Sequence, residues 1–300
     1  MLGFQSAGQM RNWLMTSGVL IGFSIFSALH LLPIQPGLCS SGDGRDGALA
    51  GECFYFLKTY VTRLGISAHL YCILPASTLA GFQFLPVSRR GVLLRVHRAV
   101  GYASLILGLV GSIASLPIIR HTFGGSLTAQ SASGMLLILF VGAQVMAWTS
   151  IRQKKVRDHE LWMLRSWVYA SSIITMRVIM ILAAICISWI GGYYLAMPCD
   201  KIAHILRSRD ETLRWYPECA PFFTGLEPSR KVIVDANIAG TNRVQFSAAF
   251  NLSYGLGAWL GLFLHVVGID IYIQHVRRPL SPNPQIKTNI DSKSQSQPAR

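Results

Sequence analysis

Charge is scarce in this chain, and part of it falls where apolar segments begin or end. Asp158, His159 and Glu160 precede a long apolar run that carries Trp162, Arg165 and Arg177. His97 and Arg98 open a second run, and His265 and Asp270 lie in a third. Ionisable groups inside a membrane segment are costly, face a bundle interior or a polar cavity, and mark functional sites by default. Two chemistries fit these residue types. Carboxyl groups whose pKa is raised by burial can donate a proton, and imidazoles beside them can orient the acid or take a proton back. Histidines at helix ends are also what axial haem ligation requires, so His97 and His159 could hold one haem with Arg98 or Arg165 on its propionates.

The candidate catalytic residues are therefore Glu160 first, with Asp158, Asp270, His97 and His159. Arg98, Arg165, Arg177 and Trp162 are candidate ligand contacts. At about 100° per residue, His159, Met163, Ser166, Ala170 and Arg177 share a helix face and Arg165 does not. Either this helix presents two polar faces, or Arg165 snorkels to the interface. Trp162, Trp167 and Tyr169 either stabilise a cation through their ring faces or form an interfacial belt. Arg177 meets no carboxylate at its depth, which leaves backbone carbonyls, His69 or a ligand as its partner.

The elements that must position these groups are membrane helices. Of 300 residues, 51% are hydrophobic and 13% charged, about half the charge of an average soluble domain. Several apolar blocks reach the roughly 20 residues that cross a bilayer. The expected fold is an all-α integral membrane bundle of about six transmembrane helices with both termini cytoplasmic. The spans are Trp13–Pro33, Ile66–Pro86, Val96–Ile119, Ser131–Ile151, a long one from Glu160 bending or ending at Gly191-Gly192, and Phe246–Ile273. Phe54–Arg63 is expected as an amphipathic interfacial segment.

Five regions follow: 1–64 as first helix and outer loop, 65–185 as a core four-helix domain, 186–245 as a polar outer loop, 246–273 as the last helix, and 274–300 as a disordered cytoplasmic tail. The net charge of +14 does not point to nucleic acid. Its basic residues cluster in the turns after the second, fourth and sixth spans, where they act as topology signals, and no Arg/aromatic stripe accompanies them. Cys39, Cys53, Cys199 and Cys219 then fall on the opposite side, the oxidising one if the membrane belongs to the secretory system, with their pairing open. Cys72 and Cys186 lie inside spans. A stripe of small residues, Gly101, Ser104, Gly108, Gly111 and Ser115, either packs helices closely or leaves room for a flat apolar ligand. No dinucleotide, Walker, Cys-x-x-Cys or aspartate-rich diphosphate motif is present.

Four spaced motifs carry a resemblance: His69 with Gly81-Phe82-Gln83-Phe84, His97-Arg98-x-x-Gly101-Tyr102, His159-x-x-Trp162-Met163-x-Arg165-Ser166, and the later Arg177. Over roughly residues 65–185 the chain resembles a small polytopic domain of unknown function shared by bacteria and fungi. It also looks like the fungal integral-membrane terpene cyclases of ascochlorin- and ascofuranone-type meroterpenoid pathways. That resemblance adds His69 to the candidate contacts. It implies acid-initiated cyclisation of an epoxidised, prenylated (farnesyl) aromatic in secondary metabolism, without metal or other cofactor. It implies a lipophilic substrate taken from the bilayer, a prenyltransferase and an epoxidase as pathway partners, and residence in the endoplasmic reticulum. The competing expectation is a cytochrome b-type haem protein for electron transfer. A transporter or assembly factor is a third, weakened by the lack of an internal repeat.

Overall fold

The computed structural model describes residues 51–277, together with Met10, Trp13, Ser17, Gly18, Ile21, Gly22, Ser24, Ile25, Ser27, Ala28 and Cys39. Most of the expected first span, the outer loop that follows it, His30 and the tail beyond Arg277 lie outside the described residues. A short helix α1 (Glu52–Lys58) leads into α2 (Tyr60–Gln83), α3 (Leu93–Ile119), α4 (Leu127–Arg152) and α5 (Val156–Ile190). Strand β1 (Tyr194–Pro198), helices α6 (Cys199–Leu206), α7 (Arg209–Trp215) and α8 (Ala220–Phe223), strand β2 (Lys231–Asp235) and helix α9 (Arg243–Arg277) complete the order. Among the described residues five helices, α2, α3, α4, α5 and α9, are long and apolar enough to cross a membrane. The molecule is an integral membrane protein.

Local chemistry sets several of these boundaries. The Thr59 hydroxyl accepts the Thr62 N–H while the Thr62 side chain answers the Thr59 backbone, a capping box that starts α2 at Tyr60 rather than at Ile66. The stretch expected as one interfacial segment is thereby split between α1 and the first turn of α2. Ser126 caps α4 by accepting the Ala129 N–H at 3.1 Å. Helix α5 runs unbroken for 35 residues, about 52 Å at 1.5 Å per residue. It stops at Gly191, whose φ of 73° suits glycine. Helix α9 extends to Arg277, past the Ile273 expected as its end.

Two helix groups make the membrane core. Helix α2 packs along α3, and α5 packs along both α9 and α4. The α5–α9 contact is closest at Gly257 and Gly261: a Cβ on Gly257 would lie 2.9 Å from the Met176 carbonyl, and one on Gly261 3.0 Å from the Met176 amide. This Gly-x-x-x-Gly step brings backbone against backbone, which is how membrane helices gain contact when no hydrophobic drive separates them from lipid. The small-residue stripe of α3 acts the same way. Gly111 lies against Cys72 and Ile73, and Ser104 donates to the Ala76 carbonyl at 3.0 Å. From the N-terminal stretch, Trp13 Nε1 donates to the Gly81 carbonyl and Ser24 meets Ser77.

The region expected as a polar loop, 186–245, is a folded module, and it corrects the all-α expectation with a two-stranded antiparallel sheet. Ala196 pairs with Ile233 at its centre. The period-two pattern of β2 turns Val232 and Val234 inward and leaves Ile233 exposed. With Met197, Ile202, Ile205 and Tyr216 they form one core that continues into Ala248, Phe250, Tyr254, Met176 and Met180 of α9 and α5. The module thus sits on one end of the bundle. Disulfides join Cys39 to Cys53 and Cys199 to Cys219 at that end. The basic turns around Arg89-Arg90 and Lys154-Lys155 join helices at the other.

Candidate functional site

The residues singled out by sequence gather mostly at the basic end. Glu160 in the first turns of α5 is engaged by Arg89 Nη1 at 2.5 Å, with both side chains more than a third exposed. Arg165 Nε and Nη2 donate to Asp270 Oδ1 at 3.1 and 2.8 Å, and the guanidinium lies 4.8 Å from the centre of the Trp162 ring. Of the two expectations for Arg165, the structure supplies a partner from α9. The His97 and His159 rings come within electrostatic reach of each other. His97 Nδ1 meets Ser88 Oγ at 3.3 Å, and His159 Nδ1 meets the Ala147 carbonyl at 2.9 Å. Arg98 is exposed beside His97, and Asp158 occupies the first turn of α5, where a carboxylate suits the helix dipole.

Other candidates are separated from this group. His69 bonds the Gly111 carbonyl at 2.8 Å, inside the α2–α3 contact. His265 spends both ring nitrogens on α5, meeting the Val168 carbonyl and Thr175 Oγ1 at 2.8 Å each. Arg177 is in electrostatic reach of the Tyr254 hydroxyl on α9, a pairing the sequence did not suggest. His69 is occupied elsewhere.

The opposite end holds a constellation that sequence reasoning missed. Glu52, the first residue of α1, is 2% exposed, and Lys201 of α6 is 1% exposed. Lys201 Nζ lies 4.0 Å from Glu52 Oε1. Glu52 Oε2 accepts the Phe123 N–H at 2.9 Å, whereas Glu52 Oε1 and Lys201 Nζ have no hydrogen-bond partner among the described residues. Burial drives the Glu52 carboxyl above its usual range, against the pull of Lys201 and the Phe123 amide. Burial likewise drives the Lys201 ammonium down, against the attraction of Glu52. Both shifts favour the uncharged forms.

Aromatic rings enclose the pair. Lys201 Nζ lies 5.1 Å from the centre of the Tyr55 ring, and Tyr55 stacks on His121 at 5.0 Å. The Tyr55 phenol is pushed up to about 12, by burial first and then by Asp200 and Glu52. Phe123 stacks on Tyr254 at 4.2 Å, and the Tyr254 hydroxyl meets Ser133 Oγ at 3.3 Å. Phe123 takes φ 47°, a left-handed conformation uncommon for a side chain of this size, and the turn around it presents the amide that binds Glu52. Gly51, at φ 85°, lets the chain pass Lys201: a Cβ there would sit 2.7 Å from Lys201 Cε. Beside the pair, Phe54, Tyr55, Lys58, Asp200 and Lys231 line a surface pocket of about 400 Å³.

One signal for Lys201 was present in the sequence. It shares the buried side of α6 with Ile202, Ile205 and Leu206, at the i, i+1, i+4, i+5 spacing of an apolar face. A lysine in that position needs a partner, and Glu52 is supplied from a distant stretch of chain.

Fold and site together define a helical integral membrane protein with a folded module at one end of the bundle and a buried acid–base pair beneath it. Residues 66–197 match the model of a family described as a predicted membrane protein, DUF2306. That segment contains all but the first residues of α2 and the whole of α3, α4 and α5, the helices that carry the four spaced motifs. No curated protein and no solved structure matches the chain.

Proposed function

We propose that this protein is a membrane-bound terpene cyclase that closes rings on an epoxidised, prenylated aromatic substrate, with Glu52 as the proton donor. The observation that carries the reading is the Glu52 carboxyl, fully buried, raised in pKa by burial, and set among Phe123, Tyr254 and Tyr55. Ring closure of this kind begins when an acid protonates the epoxide oxygen as its C–O bond opens. The carbocation left behind is attacked by the neighbouring alkenes in turn, and loss of a proton ends the cascade. A carboxylic acid whose burial favours the protonated form can start it. As Glu52 releases its proton it becomes a carboxylate facing Lys201, whose pull opposes the cost of burying that charge. The ring faces around it suit a passing cation. Glu160 and Asp270, the acids that the sequence put forward, are engaged by Arg89 and Arg165 at the exposed end, so the role passes to Glu52.

The natural setting for such an enzyme is the endoplasmic reticulum, beside a prenyltransferase and an epoxidising monooxygenase. The test is turnover of a farnesylated aromatic epoxide by full-length protein in microsomes. Glu52→Gln should lower the rate by at least about 100-fold, the low end for a general acid, while Glu160→Gln and Asp270→Asn keep it. Full turnover by Glu52→Gln sinks the proposal.

A second reading draws on the approach of His97 and His159, each held through Nδ1, which leaves Nε2 on both rings for ligation of a haem. A Soret band in the purified protein, lost in His97→Ala, would favour it.

A further inference from the structure

In the basic half of the bundle, where α2 and α3 meet α4 and α5, lies a second set of polar groups. Gln144 is 1% exposed and Trp167 2%. Neither Gln144 side-chain atom, nor Trp167 Nε1, nor Gln83 Oε1 has a hydrogen-bond partner among the described residues. A buried polar group left unpaired is expensive, and within hydrocarbon no bulk water relieves it. Neighbouring side chains escape that cost: Ser104 reaches the Ala76 carbonyl, and Ser166 the Phe140 carbonyl.

Gln144 and Phe140 of α4 lie against Gly108 of α3, and Gln83 of α2 lies nearest Gly101. Gly101 and Gly108 are two turns apart on one face of α3, so the glutamines are separated by about 10 Å along the helix axis. Trp167 comes from α5. It packs with Ala76, Ala80 and Phe140, with Phe84 and Leu107 at the margin. Its ring stands edge-on to Phe140, with centroids 5.3 Å apart. Four helices thus surround a layer that is aromatic and small-residued in shape, with indole and amide N–H donors and two carbonyl acceptors.

We propose that this layer binds a lipid-soluble, planar ring bearing hydroxyl groups. A ring hydroxyl can accept from Trp167 Nε1–H while donating to a glutamine Oε1, and two hydroxyls across one ring can address both glutamines. An unsubstituted hydrocarbon would leave all of these groups unpaired. The layer lies apart from the Glu52–Lys201 pair, and its occupancy is read without turnover, so failure of either proposal leaves the other standing.

The experiment is calorimetric titration of full-length protein in nanodiscs with 4-hexylresorcinol, using hexylbenzene as the hydroxyl-free probe and empty nanodiscs as the partition background. Saturable binding of 4-hexylresorcinol at least tenfold tighter than hexylbenzene is expected. Trp167→Phe, which keeps a ring but removes the N–H, and Gln144→Leu should each weaken 4-hexylresorcinol at least tenfold, 1.4 kcal/mol, and leave hexylbenzene unchanged. Thermal melting of both variants should match or exceed that of the parent, since each removes an unpaired group. No saturable binding above the empty-nanodisc background, or equal affinity in the parent and both variants, overturns the proposal.

Discussion

Each end of this bundle pairs carboxylates with cations, and the two ends use them differently. At the basic end, Arg89–Glu160 and Arg165–Asp270 lie at the rim, with Glu160 and Asp270 more than two fifths exposed. Water and salt screen such pairs, and they contribute little to stability. At the disulfide-bearing end, Glu52 and Lys201 are sealed from solvent, and their hydrogen bonding is incomplete. Burial there opposes charge on both partners. The same residue types thus act as a screened rim fastener in one place and form a buried pair whose charges are disfavoured in the other. Environment, more than residue identity, decides the chemistry.

Four measurements can break or sharpen this contrast. The largest effect is on turnover, with Glu52→Gln losing at least about 100-fold and Glu160→Gln staying within about threefold. Next is stability. Lys201→Met breaks a buried pair and should cost about 3 kcal/mol, against about 1 kcal/mol or less for Arg89→Met at the rim, both read by thermal melting in nanodiscs. The third probes the scaffold that carries both ends: Gly261→Val forces α9 away from α5 and should cost about 1–3 kcal/mol, with Gly268→Val, where a Cβ meets nothing within 4 Å, as the silent control.

The smallest effect is a shift in pH profile. Because the folded pKa of Glu52 is raised above the ordinary 4.5, the proposed acid should work at low pH, and turnover should fall as pH climbs through that raised value. Lys201 holds the value down, so Lys201→Met should move the falling limb of kcat to higher pH, whereas Arg89→Met should leave it in place. The stability linkage has the same sign for Glu52, whose protonated form favours folding at low pH and is lost as pH rises through its folded pKa. The depressed Lys201 acts in the opposite sense: its contribution is complete above the ordinary 10.5 and is lost as pH falls through its folded value.

The spans were legible because hydrophobic blocks of bilayer length announce themselves, and the basic turns marked one end of the bundle. The Arg165–Asp270 contact was also within reach, since both residues interrupt apolar runs near the same end. Glu52 and Lys201 were hidden for a physical reason. Each lies in a short segment outside the long spans, where a charge is unremarkable, and only tertiary packing, with the Phe123 turn and Gly51 closing around them, removes their water. The β2 strand was written in the β-branched run Val232-Ile233-Val234, but five residues among turns are a weak signal. The Gly257-x-x-x-Gly261 step could have been read as a helix contact. Gln144 and Trp167 looked like ordinary residues of apolar helices, because a missing partner is a property of packing and not of sequence.

Glu52 is the immediate neighbour of Cys53, and Cys53 is joined to Cys39. The acid is therefore positioned by a covalent bond that only an oxidising compartment can form. A cell that inserts the membrane helices but keeps its thiols reduced would yield protein of the correct size and helicity without a fixed acid. Host choice for producing this protein thus becomes a question of sulfur chemistry, and an inactive preparation from a reducing host says nothing about the catalytic residues until its thiols have been counted.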